Sequence, residues 1–154
     1  MSEVLFYHLE RRTLEDVLPS LLEKTRTRGW KANVRVGSAE RMEVLDNHLW
    51  TFSDQSFLAH GTSAEGHSAR QPVFLTTEEE DPNDADVLFL VGGAVIANWD
   101  ADALKKFERV VWLFDGGKGN ALSDARVGWK RAQETGHEVT YWKESADGRW
   151  EKQS

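Results

Sequence analysis

The segment "LFDGGKGNALSDARVGWKRAQETG" at positions 113–136 contains the pattern on which the fold prediction depends: a buried strand, a glycine-rich loop and a helix. The same strand-then-helix order occurs twice earlier, with "VLFYHL" at 4–9 and "WKANVRV" at 30–36 each preceding a helical segment. Strands that alternate with helices predict a mostly parallel sheet covered by helices on both faces. The predicted fold class is therefore α/β, three-layered and Rossmann-like.

The first two helices carry recognisable end signals. Thr13 followed by Asp16 predicts an N-terminal capping box, and Gly29 predicts the end of the first helix. Pro19 lies inside that helix and removes one backbone donor, which predicts a kink or a restart. The second helix is predicted from Ser38 through the segment "AERMEVLDNHLW".

The remaining strands are predicted from short apolar runs. They are "VFLTT" at 73–77, "DVLFLVGG" at 86–93, "VVWLF" at 110–114 and "HEVTYW" at 137–142. The dipeptide Asp147-Gly148 favours a turn, so residues 144–154 are predicted to form an edge hairpin or a tail.

Composition limits the class of protein. The chain has 154 residues, of which 40% are hydrophobic, so we expect one domain over residues 1–154. It contains no cysteine, which excludes disulfides and thiol catalysis. No long apolar run or cleavable leader is visible, so we expect a cytoplasmic protein without a membrane partner. The net charge of −7 argues against a broad DNA-binding face, and any contact with DNA is expected to be indirect.

The glycine loop at 116–119 matches phosphate-binding motifs poorly. "GGKGN" lacks the spacing of a P-loop and has no hydroxyl residue after Lys118. Gly117 and Gly119 fit two positions of the dinucleotide fingerprint, but Leu122 occupies the third. A flexible turn is the favoured interpretation, and a small nucleotide- or phosphate-binding α/β enzyme that uses this loop is the alternative.

Other catalytic signals are weak. "GTSAEG" at 61–66 has one residue too many for a nucleophile elbow. His48, His60 and His67 lack the spacing of a helical zinc site. We therefore predict no catalytic residue, no metal site and no cofactor.

The last helix presents two neighbouring stripes. The first contains only small residues and is predicted to pack on the sheet: Ala121, Ala125, Gly128 and Ala132. The second carries two cations and cannot be fully buried: Leu122, Arg126, Trp129, Lys130 and Gln133. A tryptophan flanked by cations is suited to an acidic peptide with an apolar anchor. Alternatively, Trp129 covers the edge of the core and the cations are solvated.

A long polar segment at 51–72 contains two apolar residues, Phe57 and Leu58. They either pack beneath their own loop or present a patch to another protein.

Several segments together resemble the chi subunit family of bacterial DNA polymerase III. They are "VLFYHL", "LDNHLW", "SFLAHG", "DVLFLVGG" and "ARVGWKRAQETGHEVTYW", and the likeness runs over nearly the whole chain. The resemblance implies a non-enzymatic accessory of the clamp-loader assembly with a three-layer α/β fold. It also implies binding to the acidic C-terminal tail of single-stranded DNA-binding protein, and a link to the clamp loader through the psi subunit.

The resemblance also implies which residues bind each partner. The tail-binding tryptophan of the family matches Trp50, its strand residue matches Phe114, and its helix arginine and aromatic residue match Arg126 and Trp129. Lys118 is the best match to a further lysine, and Lys130 lies on the same helix face. The psi-facing surface corresponds to Phe57, Leu58 and His60, where Ala59 replaces a residue that is often proline. A third possibility is that residues 51–72 dock another replisome subunit while the helix has no binding role.

Overall fold

The computed structural model describes residues 3–9, 13–51, 72–78, 84–96, 104, 106–115, 121–145 and 149–153, without the side chains of 50, 51 and 153. These residues form seven strands and three helices. In chain order they are β1 Glu3–Leu9, α1 Leu14–Thr27, β2 Ala32–Val36, α2 Ala39–Thr51, β3 Val73–Thr76, β4 Val87–Val91, β5 Arg109–Asp115, α3 Ala121–Glu134, β6 Glu138–Glu144 and β7 Trp150–Gln153. None of the described helices is long and apolar enough to cross a membrane.

All seven strands belong to one sheet, in the order β3-β2-β4-β5-β1-β6-β7. Neighbouring strands are parallel except β6 and β7, which form an antiparallel pair at one edge. The α/β prediction is confirmed. The strand order is not the 3-2-1-4-5-6 order of dinucleotide-binding domains, so the Rossmann-like part of the prediction is not confirmed.

Two hydrophobic clusters lie on opposite faces of the sheet and give the molecule three layers. One cluster includes Leu18 and Leu22 of α1 and Leu45 and Leu49 of α2. The other joins α3 to side chains of β1, β4 and β5: Phe6, Leu88, Leu90, Trp112, Phe114, Ala125 and Ala132. The helices α1 and α2 therefore cover one face, and α3 covers the other.

The ends of α1 follow the sequence signals. Thr13 Oγ1 accepts a hydrogen bond from the backbone N–H of Asp16 at 3.3 Å, and Asp16 Oδ2 accepts one from the backbone N–H of Thr13 at 3.1 Å. Gly29, at the end of the helix, has a φ of 79°, which favours glycine. The helix does not restart at Pro19, contrary to one of the predicted outcomes. Pro19 is buried, and the carbonyl of Glu15, which the missing N–H would have bonded, lies 2.7 Å from His48 Nε2 of α2.

The small stripe of α3 lets the helix approach the sheet closely. Ala125, Gly128 and Ala132 are buried, as their spacing predicts. A Cβ on Gly128 would overlap Trp112 Cζ3 and lie 2.8 Å from Trp112 Cη2. A larger residue at 128 would therefore push α3 away from β5.

Strand β6 directs alternate side chains to opposite faces. Tyr141 packs against the cluster beneath α3, whereas the Trp142 ring stacks on Tyr7 at 6.4 Å on the other face. The Trp150 ring of β7 contacts the same Tyr7 ring edge-on at 4.8 Å, and burial raises the pKa of the Tyr7 phenol. By the alternation along β6, Lys143 lies on the same face as Tyr141, beside α3.

Candidate functional site

A groove of about 540 Å³ lies between α3 and β6, and we call it the α3–β6 groove. Its lining residues come from three elements: His8 of β1; Leu122, Ala125, Arg126 and Trp129 of α3; and Tyr141 and Lys143 of β6. It combines an apolar floor with two cationic side chains, so it is the best candidate for a binding site in the described part of the chain.

The helix wall of the groove is formed by the second stripe of α3. Arg126 and Trp129 are three residues apart, so they project from the same face of the helix. Arg126 is exposed and Trp129 is partly buried, as expected for this stripe. The Trp129 ring lies 5.6 Å from Phe6 and 5.6 Å from Tyr141, edge-on to both. These two rings hold the indole at the bottom of the groove, while the arginine extends into solvent.

The strand wall of the groove consists of Tyr141 and Lys143 of β6 with His8 of β1, and the sequence does not predict it. Tyr141 Oη lies 2.7 Å from His8 Nδ1, a hydrogen bond between residues 133 positions apart. The alternation along "HEVTYWK" indicates that Tyr141 and Lys143 share a face. It does not indicate that β6 pairs with β1, and that pairing is what brings His8 to them.

The predicted tail-binding residues are only partly brought together. Arg126 and Trp129 line the groove, and Lys130 is exposed on the same helix but does not line it. Phe114 is 5% exposed and lies beneath the groove, where its ring contacts His8 at 4.9 Å and Tyr141 at 6.2 Å. Phe114 therefore supports the groove floor through these two ring contacts, but it is itself buried in the central strand β5.

Trp50 belongs to α2, whose core residues pack on the face of the sheet opposite α3. Trp50 therefore does not lie on the helix wall of the α3–β6 groove, and its side chain is outside the described residues. Four further predicted residues, Phe57, Leu58, His60 and Lys118, also lie outside the described residues.

Comparison with known proteins identifies the family. Over residues 1–140 the chain matches the family described as "DNA polymerase III chi subunit, HolC". The chain belongs to this family. It is also 27% identical over 117 residues to a protein of Rickettsia prowazekii (strain Madrid E) named "Probable DNA polymerase III subunit chi". That alignment covers 75% of this chain and 71% of the relative. The resemblance to the chi family is thereby confirmed, and with it a role in DNA replication.

A second cavity, of about 830 Å³, lies at the edge where the parallel strands end. The charged residues among its described lining are mostly acidic: Glu15, Glu40, Glu43, Asp115 and Asp124, with Arg41 as the one cation. In many α/β proteins phosphate binds at this edge, at the N-terminus of a helix. Here a carboxylate occupies the first turn of each described helix, with Glu15 in α1, Glu40 in α2 and Asp124 in α3.

These carboxylates interact favourably with the helix dipoles and would repel a phosphate. The mostly acidic lining of this cavity therefore does not favour phosphate binding there, and the loop at 116–119 on which the nucleotide-binding alternative depends lies outside the described residues. The described residues also contain no group of three or more histidines and carboxylates that could hold a metal ion.

Proposed function

We propose that this chi-family chain is a non-catalytic accessory subunit of the DNA polymerase III clamp-loader assembly. In this proposal the α3–β6 groove binds the acidic C-terminal tail of single-stranded DNA-binding protein. The observation that carries the proposal is an exposed Arg126 beside a partly buried Trp129, in a groove with an apolar floor. The chain would act in the cytoplasm as one domain, without a cofactor.

The chemistry of the groove suits a short peptide with an acidic end. The Arg126 guanidinium can donate two parallel hydrogen bonds to one carboxylate, either of a side chain or of the chain terminus. Leu122, Trp129 and Tyr141 provide an apolar surface for the last side chain of the peptide. An exposed charge pair contributes only about 0–1 kcal/mol, so burial of the apolar anchor must supply most of the affinity. Binding in the micromolar range is the expected scale.

The second part of the proposal concerns the link to the replisome. The resemblance implies that the psi subunit, or another clamp-loader subunit, binds through Phe57, Leu58 and His60. DNA would be reached only through the protein that coats it, because a net charge of −7 opposes direct contact with phosphates. The contributions of Trp50, Phe114, Lys118 and Lys130 to tail binding also stay predictions from the sequence.

The proposal is tested with a labelled acidic peptide that ends in Pro-Phe with a free carboxylate. Fluorescence anisotropy measures its Kd, and tryptophan emission reports contact with an indole. We expect Arg126→Ala to weaken binding about three- to fivefold, because a two-pronged but solvent-exposed carboxylate contact is lost. Arg131→Ala is the matched control, since Arg131 is an exposed arginine of the same helix that does not line the groove. Equal Kd values for both variants, or no binding by the unaltered protein, would contradict the proposal.

A further inference from the structure

The α3–β6 groove has a second cationic wall, and it lies on strand β6. We propose that Lys143, set beside the His8–Tyr141 hydrogen bond, is a carboxylate-binding residue of this site. The acidic segment of the ligand would then lie between Arg126 on the helix and Lys143 on the strand. This inference rests on the proposed function, because it assigns a second contact for the same acidic tail.

The register between β1 and β6 shows which lining residues lie at each end of the groove. Phe6 pairs with Tyr141, and two positions further along both strands His8 pairs with Lys143. Trp129 packs on both Phe6 and Tyr141, so the aromatic part of the groove lies at that first pair. At about 3.3 Å per residue, the second pair lies about 7 Å nearer to the edge where the strands end.

Arg126 of α3 lies at the same end of the groove as Lys143. Helix α3 connects β5 to β6 along the chain, and both strands are parallel to β1. The helix therefore runs antiparallel to these strands, and its N-terminal turns lie where the strands end. Arg126 lies one turn closer to that edge than Trp129. Arg126 and Lys143 therefore lie at the same end of the groove, with Trp129 and Tyr141 further from the edge where the strands end and Leu122 one turn beyond Arg126. This arrangement fits a ligand that has an apolar anchor adjoining several carboxylates.

The His8–Tyr141 bond positions the floor between the two ends. The Tyr141 ring packs edge-on against Trp129 at 5.6 Å while its hydroxyl is held by His8 at 2.7 Å. A tyrosine bonded at one end and packed at the other keeps a fixed orientation. The parallel ladder holds β6 beside β1, and Lys143 lines the groove as its strand-side cation, with Glu151 of β7 opposite it across the β6–β7 pair.

Lys143 adds a second cation to the lining of the groove. Its consequence is selectivity: a ligand with several carboxylates near its end gains more from Lys143 than a ligand with one.

The test measures the Kd of the acidic Pro-Phe peptide for Lys143→Gln, Lys143→Glu and Lys143→Arg. We expect Lys143→Gln to weaken binding about threefold and Lys143→Glu about tenfold, with the differences shrinking at high salt. Lys143→Arg keeps the charge and should keep the affinity. Lys152→Gln is the matched control. Lys152 of β7 pairs with Trp142 of β6, so it lies on the face of the sheet opposite to Lys143.

Two further peptides identify which carboxylate Lys143 contacts. One has a C-terminal amide, and the other has its aspartates replaced by asparagine. The Lys143→Gln effect should disappear with one of them and persist with the other. If Lys143→Gln and Lys143→Glu both bind like the unaltered protein while Arg126→Ala is impaired, this inference is overturned and tail binding stands. If the unaltered protein does not bind the peptide at all, both proposals fail.

Discussion

Gly128 sets the distance between α3 and the sheet, so its replacement tests the packing that places Arg126 and Trp129. A methyl group at 128 would overlap the buried Trp112 ring, which cannot move freely because it stacks on Phe6 at 5.3 Å. Overpacking of this kind costs about 1–3 kcal/mol, against a gain of about 1 kcal/mol in helix propensity. We expect Gly128→Ala to lower the free energy of unfolding by about 1 kcal/mol, measured by urea denaturation.

The exposed neighbour Val127 provides the comparison for this helix. Val127→Ala improves helix propensity without touching the sheet, so it should leave stability unchanged or slightly higher. A Gly128→Ala protein at least as stable as the Val127→Ala protein would contradict the close approach of α3. The burial of position 128 could be predicted from helical spacing alone. The need for glycine there could not, because Trp112 comes from another element.

The elements themselves were largely predictable, because their signals are local. The capping box of α1 is an example, and it gives a direct test. Thr13→Ala removes the side-chain oxygen that accepts the Asp16 N–H, which should cost about 1 kcal/mol of unfolding free energy. Ser20→Ala, at an exposed position inside the same helix, should be neutral or slightly stabilising. Equal stabilities for the two variants, measured by thermal and urea unfolding, would show that the cap does not stabilise α1.

The site was less predictable than the elements, because it depends on which strands become neighbours. The helix wall follows from spacing within α3, and Arg126 and Trp129 were found that way. The strand wall requires that β6 pairs with β1, and nothing local in the sequence states this pairing. Phe114 illustrates the same limit: the apolar run predicts a buried strand, but only the strand order places its ring beneath the groove.

At the scale of the whole molecule, the charges of the described residues are unevenly distributed. Carboxylates collect at the edge where the strands end, while the described lining of the α3–β6 groove carries two cations, Arg126 and Lys143, and no carboxylate. The net charge of −7 is therefore compatible with the proposed local site for an acidic ligand. Attraction to that site acts over about one Debye length, roughly 8 Å at physiological salt.

This uneven charge predicts that the protein binds coated DNA and not bare DNA. Affinity for bare DNA comes mainly from neutralising many phosphates, and a net charge of −7 opposes such binding. We expect labelled oligo-dT to bind with a Kd weaker than about 100 µM at physiological salt. The same oligonucleotide coated with single-stranded DNA-binding protein should be bound, because many tails are then displayed together. Anisotropy and sedimentation measure both cases, with a tailless coating protein as the control. Micromolar binding to bare oligo-dT, or equal binding with and without tails, would show that contact with DNA is direct.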